Sequence, residues 1–410
     1  MSSENNEPTK QPLSAKELET IARAVETRLS DQNAGPIQIA ELVQISEPER
    51  RNLLLRATLD NPPPGLPNSL IVKKVVAEKG YDPDDATAWD TRRFFQDWAG
   101  AAFLSQCAPG AGHSPHFYGG DRNHGFILLE DLGDDHNSLV EPLLGSDAAA
   151  AEQALLRFTE RLAHMHLDTA GRADEFYALV EQLNPQLADQ MRSGAAFAQQ
   201  RANTIAQLAA LDINIPDAAT SDLDMVAAAL AAPGPFRAYL HGDPCPDNFF
   251  WQGATLRLID FELGYMGHAL CDLAYGRTYF PTCWCCNRVP DWLVHQMEAR
   301  YRQIVGAHLP AVLDDAIFGR AMTVACAYWL ISSLNWLLEP VLEEDRTWGI
   351  AQVRPRLLAR LEVFIAASQE FDHLPGLCDL AVRVLAVLQN RWPKLEPLPI
   401  YPALREQSNK

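Results

Sequence analysis

Hydrophobic and polar positions divide the chain into two textures. Ser14-Ala15-Lys16-Glu17 has the form of a capping box, and Ile21, Ala22, Val25 and Leu29 then fall on one face at helical spacing. Gly35-Pro36 ends that helix. Strand-like runs follow at 37–46, 52–59 and 70–77, with the turn-forming Asn61-Pro62-Pro63-Pro64-Gly65 before the third. The pattern predicts a helix over about 86–106 and another strand over 125–130. The first 130 residues therefore read as a small, mostly antiparallel sheet with a helix.

After Asp131-Leu132-Gly133 the period becomes helical. Leu155, Phe158, Leu162, Met165 and His166 share a face, and an Ala- and Gln-rich helical stretch at about 175–231 ends at Pro233-Gly234-Pro235. Short strands are predicted at 237–240, 248–251 and 256–260, and helices from about 269 to 390. No internal repeat is visible. The expected fold class is α+β and bilobal, a small antiparallel β-rich N-lobe and a larger, mainly helical C-lobe. The expected divisions are a disordered tail (1–13), an N-terminal lobe with its preceding helix (14–132) and a helical lobe (133–410).

Composition narrows the function classes. Among 410 residues, 47% are apolar and 21% charged, which is globular. Acids outnumber bases by 53 to 34, a net charge of −19. Such a surface repels phosphate backbones, so nucleic acid is not an expected partner. Ala321 to Leu338 carries no charge, but it holds Thr323, Ser332, Ser333 and Asn335 and has no companion span, so it reads as a buried core helix and not as a membrane anchor. The polar N-terminus has no apolar stretch, and the eight cysteines lack framework spacing. The expectation is a cytoplasmic protein with reduced thiols. Cys283-Trp284-Cys285-Cys286 lacks the paired spacing of a structural zinc site and reads as buried thiols.

The chemistry concentrates in Leu240-His241-Gly242-Asp243-Pro244-Cys245-Pro246-Asp247-Asn248 and in Leu258-Ile259-Asp260-Phe261-Glu262. Two apolar strands flank Gln252-Gly253-Ala254-Thr255, a hairpin turn. Folding about it sets Asn248 opposite Asp260 or its neighbour, with side chains about 5 Å apart. An amide oxygen and a carboxylate at that spacing can share Mg²⁺, which prefers oxygen ligands. Asp243, five residues before Asn248, is placed to accept a proton from a substrate hydroxyl.

The order His-x-Asp-x4-Asn, a short hairpin and then Asp-Phe-Glu resembles the aminoglycoside phosphotransferase and choline kinase family, small-molecule kinases with the protein-kinase fold. Gly267-x4-Asp272-Leu273-Ala274 and Leu129-Glu130-Asp131-Leu132-Gly133 also look like that family, and the resemblance spans about residues 40–340. It implies Asp243 as catalytic base, Asn248 and Asp260 as Mg²⁺ ligands, and His241 and Asp272 as braces of the catalytic loop. It implies that Lys73 contacts the phosphates of ATP, that Asp97 is its acidic partner, and that Glu130 to Leu132 lie along the adenine. The chain departs from the pattern at Ser46-Glu47-Pro48-Glu49-Arg50-Arg51, which has no glycine, and at Asp97, one methylene shorter than the usual Glu.

Tyr328, Trp329 and Trp336 read as core packing, with cation–π contact to a substrate ammonium as the sharper alternative. Glu262 is a candidate for binding such an amine or assisting the metal. The expected function is ATP- and Mg²⁺-dependent phosphorylation of a hydroxyl on a small molecule, an aminoglycoside, a choline-like amino alcohol or a similar metabolite. The substrate pocket is expected from the helical insert at about 170–232 and the helices after Asp272. The alternative is a catalytically weak or inactive module of the same fold that binds a nucleotide or a partner. A protein-directed kinase is disfavoured, since no Ala-Pro-Glu segment closes an activation loop. The acceptor's identity and the oligomeric state are not written in the pattern.

Overall fold

The computed structural model describes residues 13–33, 35–46, 52–77, 80–108, 110, 112–134, 137–253 and 255–405. The expected tail (but for Leu13), residues 47–51 of the glycine-free loop, and Ala254 of the hairpin turn lie outside the described residues. The chain divides into two compact units. One takes the described residues within Met1–Asp135 together with Tyr177–Ala188 and Asp260–Glu262. The other takes those within His136–Phe176, Asp189–Ile259 and Leu263–Lys410.

In the first unit, α1 (Ala15–Asn33) precedes β1 (Gln38–Gln44), β2 (Asn52–Asp60), β3 (Ser69–Val75), α2 (Trp89–Cys107), β4 (Phe117–Asp121) and β5 (Phe126–Glu130). The capping box forms as expected: the Ser14 N–H donates to Glu17 Oε2 at 2.8 Å and the Glu17 N–H to Ser14 Oγ at 3.3 Å. The sheet is antiparallel in the order β1-β2-β3-β5-β4. Strict alternation in β2 turns Leu53, Leu55, Ala57 and Leu59 to one face, where they meet Ile21, Val25 and Leu29 of α1. Burying each of these leucines and isoleucines is worth roughly 1.5–3 kcal/mol. On β3, Leu70 and Val72 join that core, so Lys73 points to the opposite face.

The sequence did not announce β4. In this strand a Cβ at Gly120 would lie 2.7 Å from the Trp98 ring and from the Phe126 carbonyl. Close packing selects glycine there.

The second unit contains β6 (Asn137–Ser138), α3 (Val140–Leu144), α4 (Ala148–Thr169) and the first residues of α5 (Ala173–Leu183). The rest of α5 and the start of α6 (Pro185–Arg192) belong to the first unit, where Asn184 Nδ2 donates to the Pro83 carbonyl at 3.0 Å and Arg122 Nε to the Leu183 carbonyl at 2.7 Å. These polar side chains connect the later helical segment to the β-rich unit. The chain continues with α7 (Ala195–Ala209), α8 (Asp217–Ala231), β7 (Arg237–Leu240), β8 (Phe249–Gln252), β9 (Thr255–Leu258), β10 (Tyr265–His268) and α9 (Leu270–Arg277). It ends with α10 (Asp291–Val305), α11 (Asp315–Leu337), β11 (Thr347–Trp348), β12 (Ala351–Gln352), α12 (Val353–Glu370) and α13 (Pro375–Arg391).

The expected α+β class is the one observed, with an antiparallel five-stranded unit and a larger, mainly helical one. Helix α11 is long and apolar enough to cross a membrane, but 83% of its apolar window is buried against other parts of the protein. It packs on α7, α9 and α12. Trp329 is buried in this helix and donates its Nε1–H to the Cys271 carbonyl at 2.7 Å, so core packing holds for that ring.

Candidate active site

In the first unit, β3 presents Lys73 and α2 presents Asp97 to the segment Asp260–Glu262. Lys73 Nζ lies 2.8 Å from Asp97 Oδ2, 2.7 Å from Asp260 Oδ1 and 3.7 Å from Glu262 Oε1. The Phe261 N–H donates to Asp97 Oδ1 at 2.9 Å, which fixes the acid between an ammonium and a backbone amide. Asp97 thus reaches Lys73 despite its short side chain. Burial alone would push Lys73 down, but Asp260, Asp97 and Glu262 together push its ammonium above the ordinary lysine value. Burial pushes the Asp97 carboxyl up, Lys73 pulls it back, and the charges of Asp260 and Glu262 push it up again.

Asp260 adopts φ +68°, the left-handed region that Asp tolerates better than most residues. Glu262 joins this cluster: it is buried, ion-paired with Arg93 and hydrogen-bonded by Asn52. Asp97, Asp260 and Glu262 each bring a carboxylate oxygen within 4.8 Å of the others, hard donors of the kind Mg²⁺ prefers.

Glu130 ends β5. Its N–H donates to the His116 carbonyl at 2.8 Å and its Oε2 accepts the His116 N–H at 3.0 Å, while Leu132 lies just past the strand. Asp131 between them accepts from Arg56 Nε, Ser69 Oγ and the Gly133 N–H, an anchor that sequence reasoning missed.

In the second unit, β7 delivers the chain to His241. The carboxylate of Asp272, fully buried at the start of α9, accepts the N–H of His241 at 2.7 Å and of Gly242 at 3.2 Å. His241 Nε2 lies 2.9 Å from the Ile259 carbonyl. Both side chains thus contact backbone groups at this loop. Gly242 has φ +76°, and a Cβ there would lie 2.1 Å from the Leu263 carbonyl oxygen, so no side chain fits.

Asp243 Oδ1 accepts the Tyr275 hydroxyl at 2.7 Å and the Thr282 hydroxyl at 2.5 Å. Burial first, and the charge of Asp243 next, push the Tyr275 phenol well above its ordinary value, so it stays a donor. Tyr275 and Thr282 escaped sequence reasoning because they are 32 and 39 residues from Asp243. Tyr275 lies only three residues after Asp272, on the same helix, and that spacing was the available signal. Asn248 Nδ2 donates to the Asp243 carbonyl at 3.0 Å, which leaves its amide oxygen as an acceptor for a ligand.

The hairpin register is the one expected from its turn. Phe249 pairs with Leu258 and Gln252 with Thr255, and the Ile259 N–H donates to the Asn248 carbonyl at 3.0 Å. Asn248 is therefore aligned with the neighbour of Asp260. His166, read as a core histidine, is buried with Nδ1 2.9 Å from the Tyr301 hydroxyl and Nε2 3.5 Å from Asp272 Oδ2.

Cys285 and Cys286 are buried thiols as expected, but Cys245 and Cys283 depart from expectation. Cys245, inside the loop, is disulfide-bonded to Cys283, and Cys285 Sγ lies 3.1 Å from Cys283 Sγ. The sequence gives no hint of that pair, because 38 residues separate its members.

A search of curated proteins finds no match to this chain. Among solved structures, it is similar to choline kinase LicA from Streptococcus pneumoniae, at 16% identity over 85% of this chain and 99% of that one, with a TM-score of 0.39. It is similar to the ADP-bound aminoglycoside phosphotransferase APH(2'')-Ib, at 14% identity over 87% and 98%, with a TM-score of 0.45. It is also similar to a choline kinase from Cryptosporidium parvum, at 12% identity over 95% and 96%, with a TM-score of 0.45. The family model described as the phosphotransferase enzyme family matches residues 90–307, more than half of the chain and the stretch that contains Asp97, Asp243, Asn248, Asp260 and Asp272. The chain belongs to that phosphotransferase family.

Proposed function

We propose that this protein transfers the γ-phosphoryl group of ATP, in the presence of Mg²⁺, to a hydroxyl of a small molecule. The observation that carries the reading is the setting of Asp243, a carboxylate oriented by two hydroxyl donors on a loop whose backbone is pinned by Asp272. In this reading Asp243 takes the proton from the acceptor hydroxyl. Bound Mg-ATP would supply the phosphoryl group and the cation that offsets its charge. Asn248 and Asp260 are the assigned Mg²⁺ ligands; the amide oxygen of one and the carboxylate of the other are the hard donors that ion takes. Lys73, held charged by Asp260 and Asp97, would bind the phosphates, and the stretch from Glu130 to Leu132 would bind the adenine through its backbone.

The acceptor class follows from the sequence resemblance: an aminoglycoside, a choline-like amino alcohol or a related metabolite. The acidic net charge favours a cationic member of that set. An ATP-dependent reaction of this kind belongs in the cytoplasm. The ion pair between Lys73 and Asp97 weighs against an inactive module, since the acid reaches the lysine although it is one methylene shorter than the usual Glu.

The test is transfer of labelled phosphate from ATP to a panel of amino alcohols and aminoglycosides, with the wild type and Asp243→Asn. The proposal expects at least one acceptor to be labelled by the wild type, and no labelling by the variant despite retained ATP binding. Full turnover by Asp243→Asn would overturn the base assignment.

A further inference from the structure

The loop that carries Asp243 is covalently tied to another part of the same unit. Cys245, two residues after Asp243, bonds to Cys283, the residue after Thr282. Thr282 is the donor to Asp243, so the tie holds an acid and its hydrogen-bond partner together through both flanks. The far side of the tie is fixed. Arg356 donates to the carbonyls of Cys283 at 2.8 Å and Trp284 at 3.2 Å, and the Tyr401 hydroxyl donates to the Cys285 carbonyl at 2.7 Å. Trp284 Nε1 donates to Asp247 at 2.6 Å, back to the Asp243 loop. The third thiol, Cys285, is fully buried with its sulfur 3.1 Å from Cys283 Sγ.

We propose that Cys245, Cys283 and Cys285 form a thiol–disulfide exchange site that ties or releases the loop carrying Asp243. In the exchange, Cys285 gives up its thiol proton and its Sγ attacks Cys283 Sγ. The Cys283–Cys285 bond forms as the Cys245–Cys283 bond breaks, and Cys245 leaves as a thiolate that takes up the proton. No electrons enter or leave. A dithiol reductant supplies two electrons and two protons to convert either disulfide to two thiols, and departs as its own disulfide. The inference rests on the phosphotransferase reading for its effect on activity and for its cytoplasmic setting, where disulfides are mostly transient, catalytic or redox-sensing.

The experiment uses the full chain purified without reductant, with free thiols blocked and peptides mapped by mass spectrometry. The expected result is a Cys245–Cys283 link with Cys285 blocked as a thiol, and blocking of all three after dithiothreitol. Three free thiols before reduction would overturn the site. In Cys245→Ser, exposed to oxidised glutathione, Cys283 should link to Cys285; two persistent thiols would overturn the exchange. Cys285→Ser should retain only the Cys245–Cys283 link, which covers the case in which the first variant does not fold. Phosphoryl transfer should change by about tenfold between the oxidised and reduced wild type, the size expected when one barrier-setting contact is altered. Equal rates would overturn the control of activity. If no acceptor is turned over in either state, the functional reading fails, while the peptide map still decides the exchange chemistry.

Discussion

The hydroxyl of Tyr275 donates to Oδ1 of Asp243 at 2.7 Å, and Tyr275 lies one helical turn beyond Asp272, which holds the backbone of the same loop. One short helix thus fixes both the main chain and the side chain of the proposed base. Two separate sequence signals, an Asp in the loop and an Asp-x2-Tyr on α9, meet there.

Removing the phenol tests that arrangement. Tyr275→Phe keeps the ring packing and deletes one hydrogen bond to a charged group, worth about 1.5 kcal/mol. The expected outcome is a fall in kcat of about tenfold with little change in the KM for ATP, read by steady-state kinetics. An unchanged kcat would show that Thr282 alone suffices.

Lys73 carries a stability load as well as a proposed binding role. Three carboxylates face Lys73 and Arg93, so Lys73→Met, which keeps much of the aliphatic stem, leaves buried negative charge uncompensated. Breaking a buried ionic cluster costs about 3–5 kcal/mol. Chemical denaturation should show that loss, and binding of ATP should weaken in parallel. A variant as stable as the wild type would contradict the network.

His268 sets an acid limit on stability. It is buried on β10, stacked on Phe236 with ring centroids 5.0 Å apart, and burial pushes it from 6.5 down to about 4. Between those values the unfolded chain binds a proton that the folded chain refuses. Stability therefore falls as the pH drops through this window, by about 3 kcal/mol in total from this residue. In His268→Phe, which keeps an aromatic ring against Phe236, that part of the slope should vanish from denaturation midpoints measured across the window. An identical slope in both proteins would exclude His268 as the source.

The sequence disclosed what is local. The capping box at Ser14 and Glu17, the three first strands and the stripe from Leu155 to His166 are repeated patterns over short windows, and each reappears in the fold. The loop from His241 to Asn248 was legible because its residue types are unusual together. What stayed hidden depends on distance along the chain or on fine register. Thr282 and Cys283 reach the loop only through tertiary structure, and nothing in their own surroundings marks them. The partners of Glu262 were hidden in the same way, because Arg93 and Asn52 come from 169 and 210 residues away. The hairpin was legible to within a residue: Gln252 pairs with Thr255, which sets Asn248 against the neighbour of Asp260.

Helix α11 has a consequence for the order of events during synthesis. Its uncharged stretch packs on α7 and α9, which leave the ribosome before it, and on α12, which leaves after it. Its burial cannot be complete until residues near 370 have emerged. Until then an apolar cylinder about as long as a bilayer is thick stands partly uncovered, the kind of surface on which nascent chains aggregate or recruit chaperones. Truncation anywhere between α11 and the end of α12 therefore strips the cover from this helix. The segment through α12 thus completes the cover of a unit whose proposed chemistry lies well upstream.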